Sequence, residues 1–316
     1  MTATLRTVVA AALLLAGPAR AFATWSVIAL DSKTGQVIIA SATCVRQAGF
    51  PERKPNGARD LMDVQAVIVP GLGVAACQAG VDNTRRNQML VYSEIRKGTP
   101  PADILKLLEQ DPDVQRRQFG IVMMPNGKTI TDRNNRVGFN GTGNSPSSLY
   151  FGGQVGDIFY QVQGNTLLGD QVVHMAALAF TRAEGTMADR VIAAMEAADQ
   201  YGGDNRCNCG NNPLTNPCDG KTAHVAYIAI ANKDDAVGVT HNDGKYYAFL
   251  SVTDDNITAG ESANPVKTLR RRYDAWKKSG SPRTAPPGPT PLKRPMWSAP
   301  GRSKPRTSGR APRPQK

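Results

Sequence analysis

Thr24-Trp25-Ser26-Val27-Ile28-Ala29-Leu30-Asp31 is the stretch on which the fold turns. It is dense in strand formers, and its apolar side chains fall on both alternating faces. A strand of that kind belongs to a sheet covered on each side, not to one that faces water. Ser32-Lys33-Thr34-Gly35 reads as a turn, and residues 36–43 (QVIIASAT) as a second strand, so the two make a hairpin. Residues 64–69 and 73–79 form a second strand pair around Pro70-Gly71. The polar strip 49–60, with two prolines, reads as a loop.

Two helices follow. Residues 84–97 carry Met89, Leu90 and Ile95 and stop at Gly98; residues 101–110 align Ile104, Leu105 and Leu108, with Thr99 as cap and Pro100-Pro101 opening the turn. Residues 118–124 and 128–132 then pair around Asn126-Gly127, a strong hairpin signal. Residues 134–156, rich in Gly, Asn and Ser, read as unstructured, and 157–163 as a strand. A second helix pair covers 170–184, with Val173, Ala176, Ala177 and Phe180 aligned, and 186–201, with Val191, Ile192 and Met195 aligned. Strands at 223–231 and 246–253 close the domain. Helices arriving in pairs between groups of strands argue against a doubly wound parallel sheet. The expected fold is α+β: a four-layer αββα sandwich, helices outside two stacked antiparallel sheets.

The chain before Thr24 has the pattern of a secretory signal. Arg6 is followed by an apolar stretch from 8 to 16, a Gly17-Pro18 breaker and small residues at a cut site. Ala21-Phe22-Ala23 fits the A-x-A rule and leaves Thr24 first. Ala19-Arg20-Ala21 fits it as well, and a cut there leaves Phe22-Ala23 in front, moving the free amine about 7 Å along an extended chain. The expected domains are therefore a signal peptide (1–23), a folded domain (24–265) and a tail (266–316), in a periplasmic or secreted protein.

The formal net charge of +12 is confined to one end. Fifteen of the 38 basic residues but only one of the 26 acids lie from Val266 onward, so the folded part is slightly acidic. Ten of the 22 prolines fall between Pro282 and Pro314, and such a segment cannot bury enough surface to order itself. It reads as a solvated basic tail; its other reading is an electrostatic tether to an anionic envelope polymer or membrane surface. Five cysteines (Cys44, Cys77, Cys207, Cys209 and Cys218) in an exported chain favour two disulfides and one leftover thiol, with the pairing left open. A zinc site is the rival reading, disfavoured because no histidine sits at ligand spacing. There is no G-x-S-x-G, H-E-x-x-H or P-loop motif. No metal, cofactor or nucleic acid is expected.

Five stretches in register carry a resemblance: Thr24 to Asp31 followed by Thr34-Gly35; Gly71 to Gly80; Arg117-Gln118-Phe119-Gly120-Ile121-Val122; Gln163-Gly164-Asn165-Thr166-Leu167-Leu168-Gly169; and Gly202-Gly203-Asp204-Asn205-Arg206. In this order they resemble the domain of unknown function 1028, grouped with the N-terminal-nucleophile (Ntn) hydrolases. The resemblance implies an αββα fold and a threonine that is both nucleophile and, through its own amine, base. An α-amine of ordinary pKa near 7.7–8.0 is partly free base at neutral pH. Thr24 is then catalytic, Asn165 is the donor to a developing oxyanion, and Asp204 or Arg206 orients the amine or holds a charged substrate group. Gln163 and Gln78 are further substrate-binding candidates. The cysteine-bearing insertion 207–218 departs from the family pattern. The expected activity is amide-bond hydrolysis on a small-molecule or peptide substrate. The alternative is a non-catalytic envelope-associated binding protein that keeps the fold.

Overall fold

The computed structural model describes residues 24–50, 61–80, 82–124, 148–207 and 221–284. Nine strands lie among them: β1 (Thr24–Asp31), β2 (Val37–Thr43), β3 (Ala66–Val69), β4 (Gly73–Ala79), β5 (Arg117–Met123), β6 (Ser148–Val155), β7 (Ile158–Asn165), β8 (Val225–Ala231) and β9 (Ala248–Thr253). The α-helices among the same residues are α1 (Leu61–Gln65), α2 (Arg86–Lys97), α3 (Pro101–Leu108), α4 (Gln171–Arg182), α5 (Met187–Gln200) and α6 (Pro265–Lys278). The strands form two antiparallel sheets, one ordered β6-β7-β1-β2-β8-β9 and one ordered β3-β4-β5. This is an α+β fold, as the element order predicts.

Period-two alternation along β1 explains its doubly apolar sequence. Trp25, Val27 and Ala29 join Val173 and Phe180 of α4, Val191 and Met195 of α5, and Leu269 and Tyr273 of α6 in one core. Ile28 and Leu30 point the other way, into a second core with Ile68, Val74 and Val122 of the smaller sheet. The far face of that smaller sheet gives Val67, Ala75, Phe119 and Ile121 to a third core with Val91 and Ile95 of α2 and Ile104 and Leu108 of α3. Both faces of each sheet are thus covered, and β1 sits near the middle of the larger one.

Several local expectations are corrected. Val64 and Gln65 belong to α1, not to β3, which begins at Ala66. Side chains capture the carbonyls of this turn: Asn242 Nδ2 donates to Met62 O (2.8 Å) and Gln88 Nε2 to Val64 O (2.8 Å). Thr99 does not cap α3, whose N-cap is Pro100. Its hydroxyl instead donates to Glu94 Oε2 at 2.6 Å, closing the end of α2. Residues 148–155, expected to be unstructured, form edge strand β6, paired with β7 along its whole length. Glycine suits this strand, because a Cβ on Gly153 would come within 3.0 Å of the Tyr160 hydroxyl. The expected hairpin at Asn126-Gly127 lies outside the described residues, as do residues 134–147.

The tail begins later than composition suggests. Pro265–Lys278 is helix α6, with the Asn264 side chain accepting from Val266 N–H (2.9 Å) and Lys267 N–H (3.4 Å). Val266, Leu269 and Tyr273 recur at helical spacing and are buried. Their charged neighbours take the outer face, where Arg272 pairs with Glu261 at 2.7 Å. Beyond the helix, Thr284 binds edge strand β9: Phe249 N–H donates to its hydroxyl (2.6 Å) and its own N–H to Tyr247 O (3.2 Å). Among the described residues no helix is long and apolar enough to cross a membrane.

Candidate active site

The face of β1 that carries Ile28 and Leu30 also carries Ser26 and Thr24, so the space between the sheets changes character along its length. It is aliphatic at the Leu30 end and filled with amides and hydroxyls at the Thr24 end. Thr24, Ser26, Ser41, Thr43, Gln78, Gln118, Gln163 and Asn165 are all buried. Buried polar groups need partners, and here they find one another across the sheets.

Gln78 on β4 is the hub. Its Nε2 donates to the Thr24 carbonyl (3.1 Å) and to Gln118 Oε1 (2.9 Å), while its Oε1 accepts from Gln65 Nε2 (2.8 Å) and the Ser26 hydroxyl. Gln118 donates to Gly164 O at 3.0 Å and accepts from Asn165 Nδ2 at 3.2 Å. Thr24 stands directly between Asn165 of β7 and Thr43 of β2, and its hydroxyl donates to that of Thr43 at 3.3 Å. Directly opposed residues on one face hold their Cβ atoms about 4.5–5.5 Å apart. Asn165 Oδ1 is buried with no hydrogen-bond partner, an acceptor awaiting a donor beside the first residue of β1. Replacing Gln78 by leucine keeps the volume and strands these partners. We expect it to lower unfolding free energy by about 2–3 kcal/mol, read from urea midpoints.

Of the expected site residues, Thr24, Asn165 and Gln78 are brought together. Gln163 bridges the sheets instead: its Nε2 donates to Ala76 O (3.2 Å), and its Oε1 accepts from Gln161 Nε2 (2.8 Å). A Cβ on Gly120 would collide with Gln163 Oε1, so the glycine makes room for that amide. Asp204 and Arg206 form an adjoining cluster. The Asp204 carboxylate accepts from Cys44 N–H (2.8 Å) and from the Arg206 guanidinium (2.7 Å), and Cys44 follows Thr43, the residue opposite Thr24. Gly203, at φ +50°, ends α5 and seats the Trp25 ring, because a Cβ there would lie 2.8 Å from the indole. Sequence reasoning missed Gln118, Thr43 and Ser41. The available signal was parity, since each is a polar residue on the buried face of an otherwise apolar strand.

Cys44 and Cys207 form a disulfide with Cα atoms 5.6 Å apart. Cys77 is a buried free thiol whose pKa burial drives far upward, so it is inert as a nucleophile. Cys209 and Cys218 lie outside the described residues. His224 abuts the disulfide, and its backbone N–H donates to Thr43 O at 2.7 Å. Burial, aided by the charges of Arg46 and Lys221, holds its imidazole down from 6.5 to about 4. Folding therefore disfavours the protonated ring. Its contribution to stability is complete above pH 6.5 and is lost as pH falls toward 4, by up to about 3 kcal/mol. Urea midpoints measured across that window should fall more steeply for the wild type than for His224→Gln.

The fold and this site define an α+β protein in which the central strand opens on a hydroxyl residue set against a wall of amides. The chain belongs to the family of unknown function DUF1028, whose model matches residues 24–211. The resemblance to domain of unknown function 1028 read from the five stretches is thereby borne out. Among solved structures it is similar to protein SPO2555 from Silicibacter pomeroyi, which carries the same family model. That match has 19% identity and a TM-score of 0.49, covering 81% of this chain and 89% of that one. No curated protein matches.

Proposed function

We propose that this chain is an exported amidohydrolase of the N-terminal-nucleophile type, built as a four-layer αββα sandwich, with Thr24 as its catalytic residue. The observation that carries the reading is the position of Thr24. It is the first residue of a central strand, its hydroxyl faces the buried polar end of the space between the sheets, and an unpartnered amide oxygen stands opposite. The start of the family match at residue 24 supports it.

In the full chain the Thr24 nitrogen is a peptide amide and cannot act as a base. Cleavage after Ala23 frees it. The amine then takes the hydroxyl proton, directly or through a water, as Oγ1 attacks the substrate carbonyl. The negative oxygen of the tetrahedral intermediate needs donors, and the second Nδ2 hydrogen of Asn165 supplies one. The leaving amine takes the proton back, and water resolves the ester formed on Thr24. Asn165 Oδ1 accepts from the new ammonium or from the substrate N–H. Gln78 fixes the Thr24 carbonyl and so holds the nucleophile at the end of β1.

Mass spectrometry of the protein recovered from outside the cytoplasm tests this directly. An N-terminus at Thr24 is the expected result. A chain that begins at Phe22 would instead favour the binding protein that keeps the fold without the chemistry.

A further inference from the structure

Beside the amide cluster lies a second group of reactive side chains that the proposed hydrolysis does not use. Pairing of β2 with β8 sets Thr43 opposite Val225. Because the strands run antiparallel, the next residue along β2, Cys44, meets the residue before β8, His224. Cys207 reaches the same point from the loop that follows α5. The ligand-type atoms of Cys44, Cys207 and His224 all lie within 4.8 Å of one another. His224 is only 5% exposed, and its Nδ1 is buried with no hydrogen-bond partner. An orphaned ring nitrogen beside two sulfurs is unexplained by packing. No sequence spacing announces this trio, since 163 residues separate the cysteines and the histidine arrives through strand register.

We propose that Cys44, Cys207 and His224 form a thiol-gated site for a divalent cation of the zinc class, closed while the disulfide stands and open when it is reduced. A dithiol reductant delivers two electrons and two protons, becoming a disulfide itself while Cys44 and Cys207 become thiols. The cation then displaces one proton from each thiol to solvent, and the two thiolates balance its charge. Tetrahedral zinc with Zn–S near 2.3 Å and Zn–N near 2.0 Å sets its ligand atoms about 3.3–3.8 Å apart, so the observed cluster needs side-chain movement of roughly 1 Å. Two thiolates and one imidazole leave a fourth position for water. Asp204 supports the site from outside: its carboxylate holds the Cys44 backbone N–H at 2.8 Å and is itself braced by Arg206.

The test uses the full chain carrying Cys209→Ser and Cys218→Ser, so that the other two thiols of that loop cannot compete. Reduced with a phosphine and titrated with Co2+, it should take up about one equivalent and show thiolate-to-cobalt charge transfer with tetrahedral d–d bands. The oxidised protein should show neither. Cys44→Ser should abolish the charge-transfer signal, and His224→Ala should weaken binding by at least about tenfold. His224→Gln gives the same reading if the alanine variant does not fold. Lack of uptake by the reduced protein overturns the proposal. So does uptake that either histidine variant leaves unchanged, or uptake that is equal in the oxidised protein.

Discussion

Thr24→Ala is expected to abolish covalent capture of an electrophilic amide or β-lactone probe by the processed protein, a loss of at least about 10³-fold in labelling rate. Thr24→Ser should retain it. The contrast isolates the hydroxyl, because alanine keeps the backbone and the free amine while serine keeps both and drops only a methyl group. The fold should survive either change. The Thr24 hydroxyl donates to that of Thr43 at 3.3 Å, and losing a bond of that kind costs about 1 kcal/mol. Intact-mass analysis after probe treatment reads the result. Persistent adduct on the alanine variant would move the nucleophile elsewhere and leave the amide wall without a catalytic purpose.

The second large effect concerns stability. The Cys44–Cys207 bridge closes a loop across 163 residues of sequence. Chain entropy alone assigns such a cross-link about 5 kcal/mol, toward the top of the range seen for disulfides. The Cys44→Ser, Cys207→Ser double variant should therefore unfold at markedly lower urea than the oxidised wild type. The damage should be greatest around Asp204, which holds the Cys44 N–H, and around Thr43, whose carbonyl accepts from His224. Hydrogen exchange at these amides is the local readout. A double variant as stable as the wild type would show that the bridge ties together segments already held by the surrounding core.

Much of the fold is legible in the sequence because its strands and helices obey their own periods. TWSVIALD is apolar on both faces, and each face meets its own core. The helix pairs show aligned apolar stripes, and Thr186 supplies the capping box that opens α5. Failures occur where tertiary partners decide. Edge strand β6 has the composition of a loop and is a strand only because β7 lies alongside. Helix α6 hides a buried stripe of Val266, Leu269 and Tyr273 among arginines and lysines, and charge density masks its spacing. The site is legible in part. Thr24 follows from a cleavage rule, and Asn165 and Gln78 follow from the stretches that carry the family resemblance. Gln118 shows in the sequence only through its parity on an apolar strand, and His224 takes its place through strand pairing between distant segments, which local pattern does not report.

Docking of residues 265–284 has a practical meaning for anyone trimming this polypeptide. Composition invites a cut after Pro265, where the basic, proline-laden stretch starts. That truncation would strip Leu269 and Tyr273 from the hydrophobic layer over the larger sheet and release Thr284 from Phe249. An unshielded outer strand with a fresh oily patch beside it is a template for self-association. A shortened version that remains dispersed at high concentration should end beyond Thr284.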